Sequence, residues 1–253
     1  MKKCALHSLG CKVNSYETQA MQKMMESAGY EIVPFGEEIA DIYIINTCSV
    51  TNIADRKSRQ MIHKAKKLNP EAVVAAAGCY VESAGDNIDE DVDIVIGNNE
   101  KSHLIEILNE YFEHMDKEKS VDIGKATDFD ELNIDSPLEH TRAYVKIQDG
   151  CNRFCSYCII PYVRGRIRSR KPDDVMAEIK RVAASGCKEV VLTGIHLSSY
   201  GLDFKDSTVK LIDVIEAVNR IEGIERIRLG SLEPLIVTEE FVRRLAKCKK
   251  ICP

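Results

Sequence analysis

Short apolar runs alternate with helical patterns over the first ~115 residues of the chain. The predicted strands are residues 4–10, 41–47, 72–78 and 93–97. The predicted helices are residues 16–30, 52–68 and 101–115. Apolar strands separated by helices are typical of a parallel sheet that helices cover on both faces. Residues 1–115 are therefore predicted to form a doubly wound parallel-sheet α/β domain.

The alternation stops at residues 116–140, which are mostly acidic and polar and are predicted to be a linker. It resumes from residue 141. The predicted strands are then residues 142–148, 188–194 and 224–231, and the predicted helices are residues 172–186, 209–223 and 238–248. Three successive βα units are typical of the opening of a parallel (β/α) barrel, so residues 141–253 are predicted to form its first part. An open three-stranded parallel sheet leaves a bare edge, so we expect the chain to be a fragment of a longer protein.

The composition narrows the classes of partner. A net charge of −5 argues against a diffuse electrostatic nucleic-acid binder and leaves room only for a local basic patch. No apolar run of about 18 residues appears and the amino terminus shows no secretory signal, so a membrane is not an expected partner. DNA is not an expected partner either, because the net charge is negative. The protein is predicted to be cytoplasmic. In that compartment its ten cysteines are expected to be ligands, catalysts or core residues rather than disulfides.

Three of these cysteines lie in one loop, in the stretch CNRFCSYC, and we call Cys151, Cys155 and Cys158 the loop trio. A structural zinc site needs four closed ligands, whereas a 4Fe–4S cluster held by three thiolates keeps one iron open for a ligand. The loop follows a predicted strand, at the rim where barrel active sites gather. A 4Fe–4S cluster is therefore predicted here, with an incomplete zinc site or chance clustering as the alternative.

Three further cysteines are far apart in sequence but share one setting. Cys11, Cys48 and Cys79, which we call the sheet trio, end the apolar segments SLGC, INTC and AAGC. The carboxyl ends of parallel strands share one edge of a sheet, so the three thiols are expected to converge there and to hold a second cluster. The alternative is that they are buried, inert cysteines.

The motif CNRFCSYC, with Tyr157 directly before its last cysteine, resembles the cluster motif of the radical S-adenosylmethionine (SAM) enzymes. The resemblance implies that the open iron chelates the amino and carboxylate groups of SAM. One electron then cleaves a carbon–sulfur bond of SAM and releases a 5′-deoxyadenosyl radical. Unactivated C–H bonds resist acid–base chemistry, which is why a cofactor has to carry such a step.

A longer set of motifs extends the resemblance to essentially the whole chain. LGCKVNSYET, INTCSVTNIADRKSRQ, GCY and DGCNRFCSYCIIPYVRGRIRSR resemble the radical SAM methylthiotransferases, which replace C–H with C–SCH3. The resemblance implies that the sheet trio holds the cluster carrying the sulfur to be transferred and that the loop trio holds the cluster making the radical. It implies no catalytic side chain beyond the cluster ligands. The resemblance also implies later barrel strands and an RNA-binding carboxyl-terminal β-barrel, and both are expected to be missing from this chain.

LGCKVNSYET looks most like the branch that acts on N6-threonylcarbamoyladenosine at position 37, in the anticodon loop of tRNA. This implies a transferase that forms the 2-methylthio derivative with two SAM molecules and two 4Fe–4S clusters, and that needs an electron donor such as flavodoxin or ferredoxin. The alternatives within the family are isopentenyladenosine-37 of tRNA and an aspartate of a ribosomal protein. The alternative of another class is a non-catalytic iron–sulfur or zinc module that binds RNA or protein.

Further site residues are expected from position and resemblance. Tyr157 is expected to contact the adenine of SAM, and Gly194, Ser231 and Glu233, at predicted strand ends, its polar groups. The segment RGRIRSR is predicted, if extended, to place four guanidinium groups on one side for tRNA phosphates or the SAM carboxylate: Arg164, Arg166, Arg168 and Arg170. The alternative for this segment is a solvated charged edge.

Overall fold

The structure is a computed structural model that describes residues 1–114, 123, 126–136, 141–205 and 208–252. The remaining parts of the predicted linker lie outside the described residues. The chain divides into two compact units: the first is Met1–Ala126 with Arg153–Gly165, and the second is Thr127–Asn152 with Arg166–Pro253. A piece of chain from the middle of the sequence thus belongs to the amino-terminal unit.

The first unit is built on a five-stranded sheet in which every pairing is parallel. Its strands are β1 (Lys3–Ser8), β2 (Glu31–Ile32), β3 (Ile42–Thr47), β4 (Val73–Gly78) and β5 (Ile94–Ile96). The strand order is β2-β1-β3-β4-β5, which places β3 between β1 and β4. Every residue of β3 is buried, as expected for a central strand covered on both faces.

Helices cover both faces of this sheet. The helices of the first unit are α1 (Lys12–Ser27), α2 (Asn52–Leu68), α3 (Cys79–Ala84), α4 (Leu104–His114) and α5 (Ile160–Val163). Short 3-10 turns lie at Gly85–Asn87 and Lys101–His103. On one face, Ile42 and Ile44 pack in a core with residues of α1 and α4. On the other face, Tyr43 and Ile45 pack in a core with residues of α2. The predicted doubly wound α/β architecture is confirmed.

The helix ends show where local sequence sets the boundaries. Thr51 caps α2 by accepting a hydrogen bond from the backbone N–H of Ala54 at 3.1 Å, and the helix spans the predicted residues 52–68. In contrast, α1 begins at Lys12, four residues before the predicted start, with Cys11 as its N-cap. The early turn contains the buried polar residues Asn14 and Glu17, which obscure the apolar period expected of a helix.

The second unit contains a four-stranded sheet with the strand order β7-β6-β8-β9. Its strands are β6 (Ala143–Asp149), β7 (Arg168–Ser169), β8 (Glu189–Gly194) and β9 (Arg226–Leu229), and its helices are α6 (Pro172–Ala184), α7 (Leu211–Asn219) and α8 (Glu239–Leu245). Short 3-10 turns lie at Leu197–Ser199 and Pro234–Ile236. Strands β6, β8 and β9 are parallel, and each is followed by a helix, which confirms the predicted succession of βα units.

Both edges of this sheet differ from the predicted three-stranded arrangement. Strand β7, which the sequence analysis did not predict, pairs antiparallel with β6. Beyond β9, Ile227 donates its backbone N–H to Lys250 O at 2.7 Å and accepts from Cys252 N at 2.9 Å. The outer edge of β9 is thus paired with the residues after α8 at one position, Ile227. No helix within the described residues is long and apolar enough to cross a bilayer.

Candidate iron–sulfur and SAM site

The sheet trio lies at the carboxyl ends of three neighbouring strands. Cys11 follows β1 as the N-cap of α1, Cys48 is the residue after β3, and Cys79 opens α3 directly after β4. Because β1, β3 and β4 are adjacent and parallel, their carboxyl ends share one edge. The structure therefore brings three residues from distant parts of the sequence to one sheet edge.

Two glycines allow the strand ends to approach one another closely. Gly10 has a φ of +98°, and a Cβ added there would lie 2.8 Å from Cys48 Cβ and 2.9 Å from Cys48 Sγ. Gly78 has a φ of +97°, and its added Cβ would lie 2.6 Å from Thr47 O. Both backbones need glycine for their conformation as well as for space. The residues directly before Cys11 and Cys79 therefore have to be glycine, because each packs closely against the end of β3.

Hydrogen bonds tie the end of β3 to its surroundings. The backbone N–H of Tyr80 donates to Thr47 Oγ1 at 3.1 Å, and Ser49 Oγ donates to Cys79 O at 3.1 Å. The backbone N–H of Cys48 donates to Ser58 Oγ of α2 at 3.0 Å. These bonds hold the backbones of Cys48 and Cys79 in place without using either thiol.

Burial raises the pKa of the Cys48 thiol. A hydrogen bond from the Val50 backbone lowers the pKa, the charges of Cys79 and Cys11 raise it further, and the Arg164 guanidinium lowers it. Metal ligation requires thiolates, so a bound cation would oppose the effect of burial on the Cys48 thiol.

The donor set of the sheet trio fits an iron–sulfur cluster. Thiolates are soft ligands that suit such clusters or zinc. Among the described residues, the ligand atoms that lie within 4.8 Å of one another belong to His63, Asp89 and Asp91, a partly exposed group without sulfur. The sheet trio does not meet this single-ion spacing. In a 4Fe–4S cluster each thiolate binds a different iron, so cluster ligands need not lie at single-ion spacing. A Cβ at Gly10 would lie 2.9 Å from Cys48 Sγ, so glycine is needed there to accommodate the Cys48 side chain.

A buried polar network that was not predicted from the sequence lies beside the sheet trio. Glu17 of α1 forms an ion pair with Lys101 and accepts from Arg164 Nη1 at 2.9 Å. Arg164 Nη2 also donates to Asn14 Oδ1 at 2.7 Å, and Lys101 Nζ donates to Asn98 Oδ1 at 2.9 Å. All five side chains are almost completely buried. The one sequence signal was a glutamate and an asparagine within an otherwise apolar helix face.

The same region raises the pKa of a nearby carboxyl group. Glu82 follows Cys79 by one helical turn in α3, and burial raises its pKa to about 7. The backbone N–H of Asn98, which donates to Glu82 Oε1 at 2.7 Å, and the ammonium group of Lys101 both act in the opposite direction. The part of this edge around Glu82 and Cys79 is therefore poorly solvated, whereas Cys11 is exposed.

The loop trio is divided between the two units. In the second unit, buried Cys151 follows β6 after Gly150. In the first unit, Cys155 is exposed and Cys158 is partly exposed, and Cys158 N donates to Cys155 O at 2.9 Å. Phe154 has a φ of 47°, an uncommon conformation for a large side chain. Convergence of these three sulfurs on one cluster remains a prediction.

Three of the expected SAM contacts follow neighbouring strands of the second unit. Gly194 is the last residue of β8, and a Cβ added there would lie 2.9 Å from Gln148 Oε1 of β6. Ser231 and Glu233 come shortly after β9, where Ser231 is exposed and Glu233 is partly exposed. In the first unit, Tyr157 is 92% exposed. The roles of these residues in binding SAM remain predictions.

Polar groups that sequence reasoning missed lie at the same edge of the second sheet. Gln148 Nε2 donates to the backbone oxygens of Asp149 and Gly150, each at 2.7 Å, and Gln148 Oε1 accepts from His196 N at 2.6 Å. His196 Nε2 lies 3.2 Å from Glu233 Oε2. These bonds hold the backbone just before Cys151 and connect the ends of β6 and β8.

The four arginines of RGRIRSR have different environments. Arg164, Arg168 and Arg170 are almost completely buried, whereas Arg166 is exposed. Arg164 pairs with Glu17 in the first unit. In the second unit, Arg170 pairs with Glu178 and donates to Glu131 Oε2 at 2.9 Å, and Arg168 Nη2 lies 3.8 Å from Asp149 Oδ2. The expected row of four exposed guanidinium groups is not what the structure shows, because three of them pair with carboxylates of their own units.

Two sequence families match the chain. Residues 3–97 match the family described as uncharacterized protein family UPF0004, and residues 145–252 match the Radical SAM superfamily. A solved structure of the radical SAM methyltransferase TsrM from Kitasatospora setae has a TM-score of 0.65 at 13% identity, covering 99% of this chain and 58% of that one. At this identity the likeness shows the fold alone.

Curated relatives match nearly the whole chain. Threonylcarbamoyladenosine tRNA methylthiotransferase MtaB of Bacillus subtilis (strain 168) is 42% identical over 99% of this chain and 56% of its own length. The protein of that name from Aquifex aeolicus (strain VF5) is 41% identical over 99% and 61%. A tRNA-2-methylthio-N(6)-dimethylallyladenosine synthase of Clostridium botulinum (strain Langeland) is 34% identical over 98% and 56%. The chain thus spans little more than half the length of these relatives. Both family matches lie in one chain, and over nearly its whole length the chain is similar to these tRNA methylthiotransferases.

Proposed function

We propose that this chain is part of an enzyme that converts N6-threonylcarbamoyladenosine at position 37 of tRNA to its 2-methylthio derivative. The observation that carries the proposal is the sheet trio: three cysteines far apart in sequence reach one sheet edge in a chain that also contains CNRFCSYC. Two sets of three thiols match a reaction that needs both a sulfur source and a radical source. The substrate comes from the names of the relatives that are 40–42% identical.

Each part of the site has a separate task in this proposal. The sheet trio holds one 4Fe–4S cluster and the loop trio holds the other. When bound, the two clusters supply a sulfur for transfer and the reductive cleavage of SAM. A side chain at Gly194 would meet Gln148, so the backbone of Gly194 is the part proposed to contact SAM. Ser231 and Glu233 offer SAM an exposed hydroxyl and a partly exposed carboxylate. Tyr157 offers its exposed ring to the adenine.

The contact with tRNA is proposed for Arg166. Its side chain is exposed and lies directly after the first unit's Arg153–Gly165 segment, which contains two of the proposed cluster ligands. An exposed guanidinium group suits a phosphate oxygen. The buried arginines of the same segment serve instead to anchor it through carboxylates. In this proposal the reaction takes place in the cytoplasm, where tRNA is modified. A small redox protein such as flavodoxin or ferredoxin donates the electron.

A second candidate substrate is N6-dimethylallyladenosine, because relatives named for that nucleoside are 34% identical over nearly the whole chain. The two candidates differ only in the group on N6 of the adenine. The cluster sites are therefore the same for both, and only analysis of the modified nucleoside separates them.

Mass spectrometry of tRNA nucleosides from a strain lacking the full-length gene tests the substrate. We expect the 2-methylthio derivative of threonylcarbamoyladenosine to disappear and its unmethylthiolated precursor to accumulate. The full-length gene should restore the product, and the same gene with Cys48→Ala should not. Loss of the dimethylallyl product instead would favour the second candidate, and unchanged nucleosides would contradict both.

A further inference from the structure

Asn98 is a completely buried amide that reaches one sulfur of the sheet trio. It lies between β5 and the 3-10 turn Lys101–His103, and its Nδ2 is 3.8 Å from Cys79 Sγ in hydrogen-bonding geometry. The same nitrogen donates to Val163 O at 2.6 Å. An amide nitrogen has two hydrogens, so one is available for each acceptor.

The orientation of this amide is determined by its other contacts. Lys101 Nζ donates to Asn98 Oδ1 at 2.9 Å, and an ammonium group can only donate. The oxygen must therefore face Lys101, and the nitrogen must face Val163 O and Cys79 Sγ. Lys101 is itself held by its ion pair with buried Glu17, and the Asn98 backbone N–H is held by Glu82 Oε1 at 2.7 Å.

A second asparagine at the sheet trio has the opposite polarity. Asn14 donates from Nδ2 to Leu9 O at 2.7 Å and to Thr47 O at 2.8 Å, so its Oδ1 faces Arg164 and lies 3.8 Å from Cys11 Sγ. This contact requires the thiol of Cys11 to be the donor. When Cys11 becomes a thiolate ligand it has no proton to give, whereas the bond from Asn98 to Cys79 becomes stronger.

We propose that Asn98 is a positioning residue that donates an N–H···S hydrogen bond to Cys79 and raises the reduction potential of the cluster on the sheet trio. This inference rests on the proposed function, since it requires a cluster at that site. A hydrogen bond to a ligating sulfur stabilises the reduced form, which carries more negative charge, and a donor that contacts a ligand also holds that ligand in place. Asn98 therefore also favours retention of iron.

The test measures the reduction potential of this cluster alone. The 253-residue chain is reconstituted anaerobically with iron and sulfide in a background of Cys151→Ala, Cys155→Ala and Cys158→Ala, and titrated by electron paramagnetic resonance (EPR). Asn98→Asp keeps an oxygen for Lys101 and loses the donor, and Asn98→Leu removes both polar groups. We expect each to lower the potential, with about a tenfold change in the reduction equilibrium, or about 59 mV for one electron. Both should also release iron faster to a chelator.

Asn99→Asp is the matched control because it adds a negative charge one residue away from the contact with sulfur. It should change the potential less than Asn98→Asp does. Equal potentials and equal iron release in the background chain and both Asn98 variants would overturn the inference. Absence of iron from the background chain before Asn98 is changed would instead overturn the sheet trio as a cluster site, and with it the proposed function.

A measurement on an unaltered Asn98 decides the matter if the variants do not fold. The background chain is labelled with 15N-asparagine, and the reduced cluster is examined by pulsed EPR. A 15N coupling to the cluster, together with an exchangeable hydrogen coupling, is the expected result. A reduced cluster without either coupling would contradict the hydrogen bond.

Discussion

The sheet trio and the loop trio each offer three cysteine sulfurs, but the fold and the local sequence position them in different ways. The sheet trio is spread over residues 11–79 and depends on three parallel strands, two positive-φ glycines and a buried polar network. The loop trio lies within eight residues. One cysteine of the loop trio is exposed and a second is partly exposed, whereas in the sheet trio only Cys11 is exposed. The fold encloses Cys48 and Cys79 of the sheet trio among buried, hydrogen-bonded groups and leaves Cys11 exposed. A site assembled by local spacing leaves its thiols accessible to a second ligand.

The largest expected effect comes from removing one cysteine from each trio, which tests whether the two trios hold separate clusters with separate tasks. The unmodified chain should bind about eight irons after anaerobic reconstitution, four for each 4Fe–4S cluster. Cys155→Ala should abolish reductive cleavage of SAM and lose about half the iron. Cys48→Ala should also lose about half the iron while cleavage of SAM persists. Loss of cleavage in Cys48→Ala would contradict the division of tasks, and zinc in place of iron would favour a non-catalytic module.

A smaller effect is expected from Gly10→Ala. The new Cβ would lie 2.9 Å from Cys48 Sγ on a backbone with a φ of +98°, so we expect a loss of about 3 kcal/mol in the free energy of unfolding. Iron binding at the sheet trio should fall as well. Gly29→Ala is the matched control, since its φ is +88° but nothing lies within 4 Å of the added Cβ. The control should lose about 1–2 kcal/mol and keep its iron. Equal losses of stability and iron in the two variants would show that the contact with Cys48 does not matter.

The smallest effect concerns the poorly solvated environment of the sheet trio. Because burial raises the pKa of Glu82 from 4.5 to about 7, the folded chain binds more protons than the unfolded chain between these pH values. This contribution to stability is present below pH 4.5 and is lost as the pH rises through about 7. Glu82→Gln removes the loss, so the variant should gain about 2 kcal/mol over the unmodified chain between pH 5 and pH 8, after allowance for partial exposure.

Urea unfolding of the iron-free chain at the two pH values measures this difference. The control is Glu37→Gln, which changes an exposed carboxylate in the same unit and should show a much smaller dependence on pH. If Glu82→Gln and Glu37→Gln behaved alike, the edge that carries the sheet trio would be as well solvated as the surface.

Much of the fold was predictable because its signals are local. The apolar run of β3 and the helical pattern of α2 are local, and both elements form within a residue or so of the predicted bounds. Strand β7 was not predictable, since it is two residues long and depends on pairing with β6. The start of α1 was placed too late because Asn14 and Glu17 are buried by contacts with residues far along the chain.

The sequence by itself determined the strand-and-helix order, the spacing of the loop trio and the placing of the sheet trio at strand ends, because each depends on neighbours along the chain. The tertiary structure alone decided which polar groups are buried. Arg164 meets Glu17 across 147 positions, and Asn98 meets Val163 across 65. An arginine-rich segment can be read as a surface for phosphates until its carboxylate partners are known. Burial requires such partners, and only the folded chain brings them together.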